Sequence, residues 1–160
     1  MHKEQRGDVF NMLQQIDFYI LHNPHVTTRE TERFVCQLVD KIWHQGYRIY
    51  IHTDSLPRAK LLDEILWTFK QDSFIPHDIY DVEEDVDMMS VPVWIGFNNK
   101  VCEQTDVLIN LTTEIPEKVD NFQRIAEIVD DSNNDRQKGR ERYRLYRDKD
   151  YTLKTHDIRR

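Results

Sequence analysis

The chain has 160 residues, 39% hydrophobic and 32% charged, with 22 Lys/Arg against 29 Asp/Glu and a formal net charge of −7. That length suits one domain with a sizeable core, the composition is that of a soluble globular chain, and the acidic balance argues against nonspecific wrapping of DNA, whose phosphates the summed field repels. No run of 18 apolar residues exists, no apolar stretch of signal-peptide type follows Met1, and Cys36 and Cys102 sit in or beside apolar runs. The expectation is a cytoplasmic chain with free thiols, no membrane contact, no zinc and no other cofactor.

Residues 1–14 are polar and read as an extension ahead of a single domain over 15–160. The compact apolar run Asp17-Phe-Tyr-Ile-Leu21, stopped by Asn23-Pro24, predicts a strand. Thr27 and Glu30 have capping-box spacing before a helix with Phe34, Val35, Leu38 and Ile42 on one face, and Gly46 ends it. The alternation in residues 47–52 predicts a second strand, and Thr53-Asp54-Ser55 supplies N-caps for a helix whose apolar stripe is Leu61, Leu62, Ile65, Leu66 and Phe69. Residues 78–89 carry six carboxylates without periodicity and predict an exposed acidic loop. Residues 91–96 and 106–111 read as strands, the second as one buried on both faces. Residues 124–129 fit either strand or helix. Strand is preferred, because Asp130-Asp131-Ser132-Asn133 directly caps a helix over 133–148. Strands alternating with helices give a three-layer α/β/α sandwich around a mostly parallel five-stranded sheet.

Such a sheet invites a nucleotide, yet phosphate cradles need glycines, and none of the four (Gly7, Gly46, Gly96, Gly139) leads from a strand into a helix. The fold is thus expected to be Rossmann-like without a phosphate-binding loop. His22, His25, His52 and Asp54 fall at strand ends, where a His/Asp site is conceivable, but no nucleophile elbow accompanies them. The acidic loop lacks the glycine and ligand order of a calcium loop.

Two stretches look like binding surfaces instead. Residues 136–147 hold six Lys/Arg and one Asp/Glu, so the rest of the chain has 16 basic and 28 acidic residues, a net of −12. Within the stretch, Arg136, Arg140, Tyr143, Arg144 and Arg147 share a helical face. Guanidinium forks beside a phenol ring suit an acidic peptide ending in an aromatic residue, and also suit nucleic-acid phosphates. The second stretch is Trp67 and Phe69 followed by Phe74, Ile75 and Pro76. Large rings at a helix end and in the next loop mark either a protein partner or the closing of the core.

In order along the chain, Asp17-Phe-Tyr-Ile-Leu21, Leu62-Asp-Glu-Ile-Leu-Trp67, Ser73-Phe-Ile-Pro-His77, Asp106-Val-Leu-Ile-Asn-Leu111 and Arg140-Glu-Arg-Tyr-Arg-Leu-Tyr-Arg147 resemble the chi subunit family of bacterial DNA polymerase III holoenzyme. The resemblance spans about residues 16–153. It implies a non-catalytic accessory subunit that pairs with the psi subunit of the clamp loader and binds the acidic, phenylalanine-ended C-terminal tail of single-stranded DNA-binding protein. No direct nucleic-acid contact is expected of it. By the same resemblance the tail site is Val129, Arg140, Tyr143 and Arg144, and the psi-facing surface is Trp67, Phe74 and Ile75. The 1–14 extension and the acidic loop match no role in that family. The competing reading is an α/β nucleotide-binding protein or enzyme with a degenerate loop.

Overall fold

The computed structural model describes residues 14–22, 28–72, 74–81, 83–98 and 105–159. The expected extension short of Gln14, the Thr27 cap, the turn over 23–27 and Cys102 lie outside the described residues. The elements in chain order are β1 (Gln15–His22), α1 (Thr28–His44), β2 (Ile49–His52), α2 (Leu56–Thr68), β3 (His77–Tyr80), β4 (Val93–Gly96) and β5 (Val107–Asn110). A 3₁₀ turn (Val119–Asn121), β6 (Arg124–Val129), α3 (Asn133–Asp148) and β7 (Thr152–Arg159) complete the chain.

The strands form one sheet in the order β3-β4-β2-β5-β6-β1-β7, and every pairing in it is parallel. The class is the expected α/β sandwich, but the sheet has seven strands, not five. The two additions are its edges. β3 occupies what read as the start of the acidic loop, so that loop begins at residue 81, and β7 follows the basic helix where no element was expected. Edge strands bury little: Thr152–Arg159 holds only exposed and half-buried residues and has no continuous apolar face to betray it.

Period-two alternation sends one set of strand side chains to each face of the sheet. On one face Ile49, Ile51, Val93, Ile95, Val107, Ile109 and Ile128 meet Val35, Val39 and Ile42 of α1 and Leu62, Ile65 and Leu66 of α2. On the other, Ile16, Phe18, Tyr50, Trp94, Leu108, Ile125 and Val129 pack with Tyr146 of α3, and Met88 and Phe122 cover what α3 leaves open. Helix ends follow local chemistry. Ser55 Oγ accepts from the Arg58 N–H at the start of α2, Ser132 Oγ accepts from the Asp135 N–H at the start of α3, and Gly46 (φ 95°) follows α1 in the left-handed region. Cys36 is fully buried among apolar side chains, and that burial pushes its thiol pKa well up.

The ring cluster after α2 resolves into two parts. Phe69 and Ile75 are core, Ile75 with no exposed surface at all, whereas Trp67 and Phe74 point outward. Ile75 is therefore not a surface residue: between exposed Phe74 and exposed Pro76, its side chain takes the inward position of an extended segment.

Candidate functional site

The position of α3 is set by a buried polar cluster. Glu127 on β6 and Asn110 on β5 are register partners, and both are completely buried. The Glu127 carboxylate accepts from Arg142 Nε at 2.9 Å, Tyr146 Oη at 2.6 Å and Asn110 Nδ2 at 2.9 Å. Arg142 Nη1 donates to the Thr113 carbonyl at 2.9 Å. Burial raises the pKa of Glu127, opposed chiefly by Arg142, and burial and the adjacent Glu127 raise that of Tyr146. Next to this anchor, Gly139 lies directly over Val129, and a Cβ there would sit 2.9 Å from Val129 Cγ2. α3 can approach β6 this closely because residue 139 has no side chain.

The close approach leaves an open slot of about 230 Å³ between α3 and the strands β6, β1 and β7. Val129 forms part of its apolar wall with Phe18 and Ile20, and Tyr143 and Arg140 stand on the helix side. The Tyr143 ring is tilted against Phe18, with centroids 5.3 Å apart. Three of the four residues expected at the tail site thus come together in one slot. Arg144, one turn beyond Arg140, is exposed outside the lining. Phe18 and Ile20 were not anticipated there, although the apolar alternation of β1 does place both on the α3 face of the sheet.

The charges of the basic helix sort by partner. Arg136 Nη2 lies 2.7 Å from Asp131 Oδ1 and donates to the Leu21 carbonyl. Lys138 lies near Glu114 and Glu141, Arg142 is committed to Glu127, and Arg147 lies 3.6 Å from Asp148. Arg140 and Arg144 meet no carboxylate among the described residues. Two of the six cations therefore remain available to an outside anion, and one of them lines the slot.

The second surface lies at the opposite edge of the sheet. Trp67 is 50% exposed and Phe74 76% exposed. Trp67 packs on the His77 ring at 4.2 Å, and His77 is fixed by the Ile75 carbonyl at 2.6 Å and the Asp63 carbonyl at 3.1 Å. The indole is thus rigidly mounted although half of it faces solvent.

His25 lies outside the described residues, and the described strand ends do not gather His22, His52 and Asp54 into one site. His22 Nε2 pairs with Asp157 at 2.8 Å, whereas His52 is buried separately and burial lowers its pKa. No group of three metal-ligating side chains occurs among the described residues. Where a nucleotide would rest on such a sheet, a hollow of about 200 Å³ is lined by Asp54, Asp130 and Asp135, with Arg58 as its cation. Arg58 is already paired with buried Glu32 at 2.5 Å, so this rim repels phosphate. No helix among the described residues is long and apolar enough to cross a membrane.

Comparison with known proteins gives a consistent answer. The family described as DNA polymerase III chi subunit, HolC, matches residues 13–154. The chain is 35% identical to the DNA polymerase III subunit chi of Pseudomonas aeruginosa over 148 residues, 92% of this chain and 99% of that protein. It is 28% identical to the subunit chi of Escherichia coli over 146 residues, 89% of this chain and 97% of that protein. Among solved structures, the crystal structure of T4 UvsW superposes with a TM-score of 0.68 at 9% identity, covering 93% of this chain and 42% of that one, a likeness of fold alone.

Proposed function

The chain belongs to the DNA polymerase III chi subunit family of replication accessory subunits, and on that footing we propose that it is a non-catalytic adaptor with two peptide-binding surfaces. The α3 slot takes the acidic, phenylalanine-ended C-terminal tail of single-stranded DNA-binding protein. The Trp67 and Phe74 surface takes the psi subunit and so joins the chain to the clamp loader during lagging-strand synthesis. The observation that carries the tail reading is the pairing of an open apolar slot with two arginines that meet no carboxylate among the described residues.

The chemistry follows from the parts. A terminal phenylalanine ring fits against Val129, Phe18 and Tyr143, where it leaves water. Its carboxylate and the acidic residues before it meet Arg140 and Arg144, whose forks take carboxylates bidentately. The contact is small, so its affinity falls at about micromolar, and screening weakens it as salt rises.

Calorimetry with a synthetic acidic peptide ending in phenylalanine tests the reading. Arg140→Glu and Arg144→Glu each weaken binding at least tenfold, and amidating the peptide terminus does the same. Unchanged affinity in both folded variants overturns the proposal.

A further inference from the structure

A larger cavity, about 500 Å³, lies on the other face of the sheet, between α1 and the β1–β7 edge. Its chemistry follows from register. Asp17 and Tyr19 of β1 pair with Lys154 and His156 of β7, so all four side chains reach the same face, and Arg124 of β6 joins them from the neighbouring strand. Asp17 is buried and saturated: it accepts from His156 Nε2 at 2.9 Å, from Arg124 Nη2 at 3.2 Å and from the Gln15 amide at 2.9 Å. Lys41 enters from α1. Lys41 and Lys154 are exposed, and neither meets a carboxylate among the described residues. Two elements thus bring Lys41 and Lys154 to one groove whose single acid, Asp17, is already held by Arg124, His156 and Gln15. Aromatic rings also line the groove. The Tyr19 and His156 rings stack at 4.7 Å and 14°, and Phe34 tilts against Tyr19 at 5.7 Å.

We infer that this groove binds a nucleoside phosphate, free or as a unit of a single strand, with its phosphate toward Lys41 and Lys154 and its base against the aromatic side of the groove. Cations that repel one another around a cavity are relieved by an anion, and ring stacking beside a basic track is how single strands are held without reading their sequence. An acidic peptide without an aromatic side chain would use the cations and leave the rings idle. The volume lies within the range of small-ligand sites. The net charge of −7 does not prevent binding. The acidic loop adjoins β3, at the far edge from β7. That is about 29 Å away at ~4.8 Å per strand gap, more than three screening lengths at physiological salt. The site runs counter to the expectation that the chain touches no nucleic acid, and it is independent of the tail slot. His156 also lies beyond residue 154, where the family match ends.

The test is fluorescence anisotropy of a labelled 12-nucleotide oligothymidylate with the full chain across a salt series, with thymidine 5′-monophosphate followed by NMR shifts. The double variant Lys41→Gln with Lys154→Gln should weaken the oligonucleotide at least tenfold at low salt. It should also reduce the slope of log affinity against log salt by about 1.4, the contribution of two single-strand phosphate contacts. Arg140→Glu should leave both quantities unchanged. Response of both probes, or of the oligonucleotide alone, supports the site and identifies a strand as its source, whereas response of the mononucleotide alone supports a free nucleotide. Absence of both, loss through Arg140→Glu in place of the lysine pair, or a groove that answers only to an acidic peptide overturns the inference.

Discussion

Replacing Arg142 by methionine removes the cation that, among the described residues, faces the completely buried Glu127 carboxylate. The side chain that remains is of similar length and apolar, so the packing of α3 on β6 is largely kept while the charge is lost. Glu127 would retain Tyr146 Oη at 2.6 Å and Asn110 Nδ2 at 2.9 Å, two neutral donors in place of two neutral donors and a guanidinium. Removing one member of a buried ion pair costs about 3–5 kcal/mol, because the other charge stays out of water uncompensated. At ~2–4 °C per kcal/mol for a domain of this size, the melting temperature should fall by about 6–20 °C. Urea unfolding at pH 7 measures the loss directly. The sign of its pH dependence is a second check. Burial already raises the Glu127 pKa, and loss of Arg142 raises it further. The folded variant then binds a proton that the unfolded chain holds only near the ordinary carboxyl value of 4.5. The stability gap between variant and wild type should therefore narrow as pH falls from neutral toward 4.5. The double variant Arg142→Met with Glu127→Gln should recover most of the loss, since the buried charge is gone. A cost below about 1 kcal/mol for Arg142→Met alone would show that the carboxylate is not held as a buried ion.

Gly139→Ala places a methyl 2.9 Å from Val129 Cγ2, so α3 must shift. Urea unfolding should show a loss of about 1–3 kcal/mol, and peptide calorimetry a weaker slot. Asp17 is buried, which by itself would raise its pKa, yet the bonds from His156, Gln15 and Arg124 outweigh that and hold it below the ordinary 3.8. Its stabilisation is present above pH 3.8 and is lost as pH falls through the lowered value. Asp17→Asn should therefore cost about 2 kcal/mol at pH 7 and clearly less at pH 3, by chemical unfolding at both. Phe74→Ala truncates a ring that is 76% exposed, so it should change stability by under about 0.5 kcal/mol while abolishing retention of the psi subunit in co-purification.

What was legible in the sequence depended on how completely each element is buried. β1 and β5 lie inside the sheet and announce themselves as apolar runs, whereas β6, also inside it, fits strand or helix equally and is fixed by the cap that follows it. α3 was placed to the residue because Ser132 caps it and its cations make it unlike its surroundings. β3 and β7 were missed because an edge strand is held by backbone pairing to one neighbour, which leaves no apolar period in its side chains. Within the site, helical spacing put Arg136, Arg140, Tyr143, Arg144 and Arg147 on one face and left Arg142 off it, and Arg142 does turn inward to Glu127. Spacing could not tell which of those cations stay unpaired. That depends on Asp131, beyond the cap of α3, and on whether Arg147 reaches Asp148. The inward turn of Ile75 between Phe74 and Pro76 is likewise a property of the packed segment, and composition assigned all three to one cluster.

The placement of the two proposed surfaces also has an energetic meaning. The slot adjoins β1 and β7, while Trp67 and Phe74 adjoin β3, so the width of the sheet lies between them. The strands β4, β2 and β5 between are fully buried parallel strands with Val and Ile packed on one face and Tyr50, Trp94 and Leu108 on the other, an arrangement that does not deform under a small contact at one edge. The surfaces share no residue and lie far beyond the 7–10 Å within which perturbations couple, so their binding energies should add. Neither needs to be strong for that. Once one partner holds the chain within an assembly, the second contact forms at the effective concentration of a tethered pair, and a tail affinity of about micromolar is then enough to keep the slot occupied while still releasing quickly.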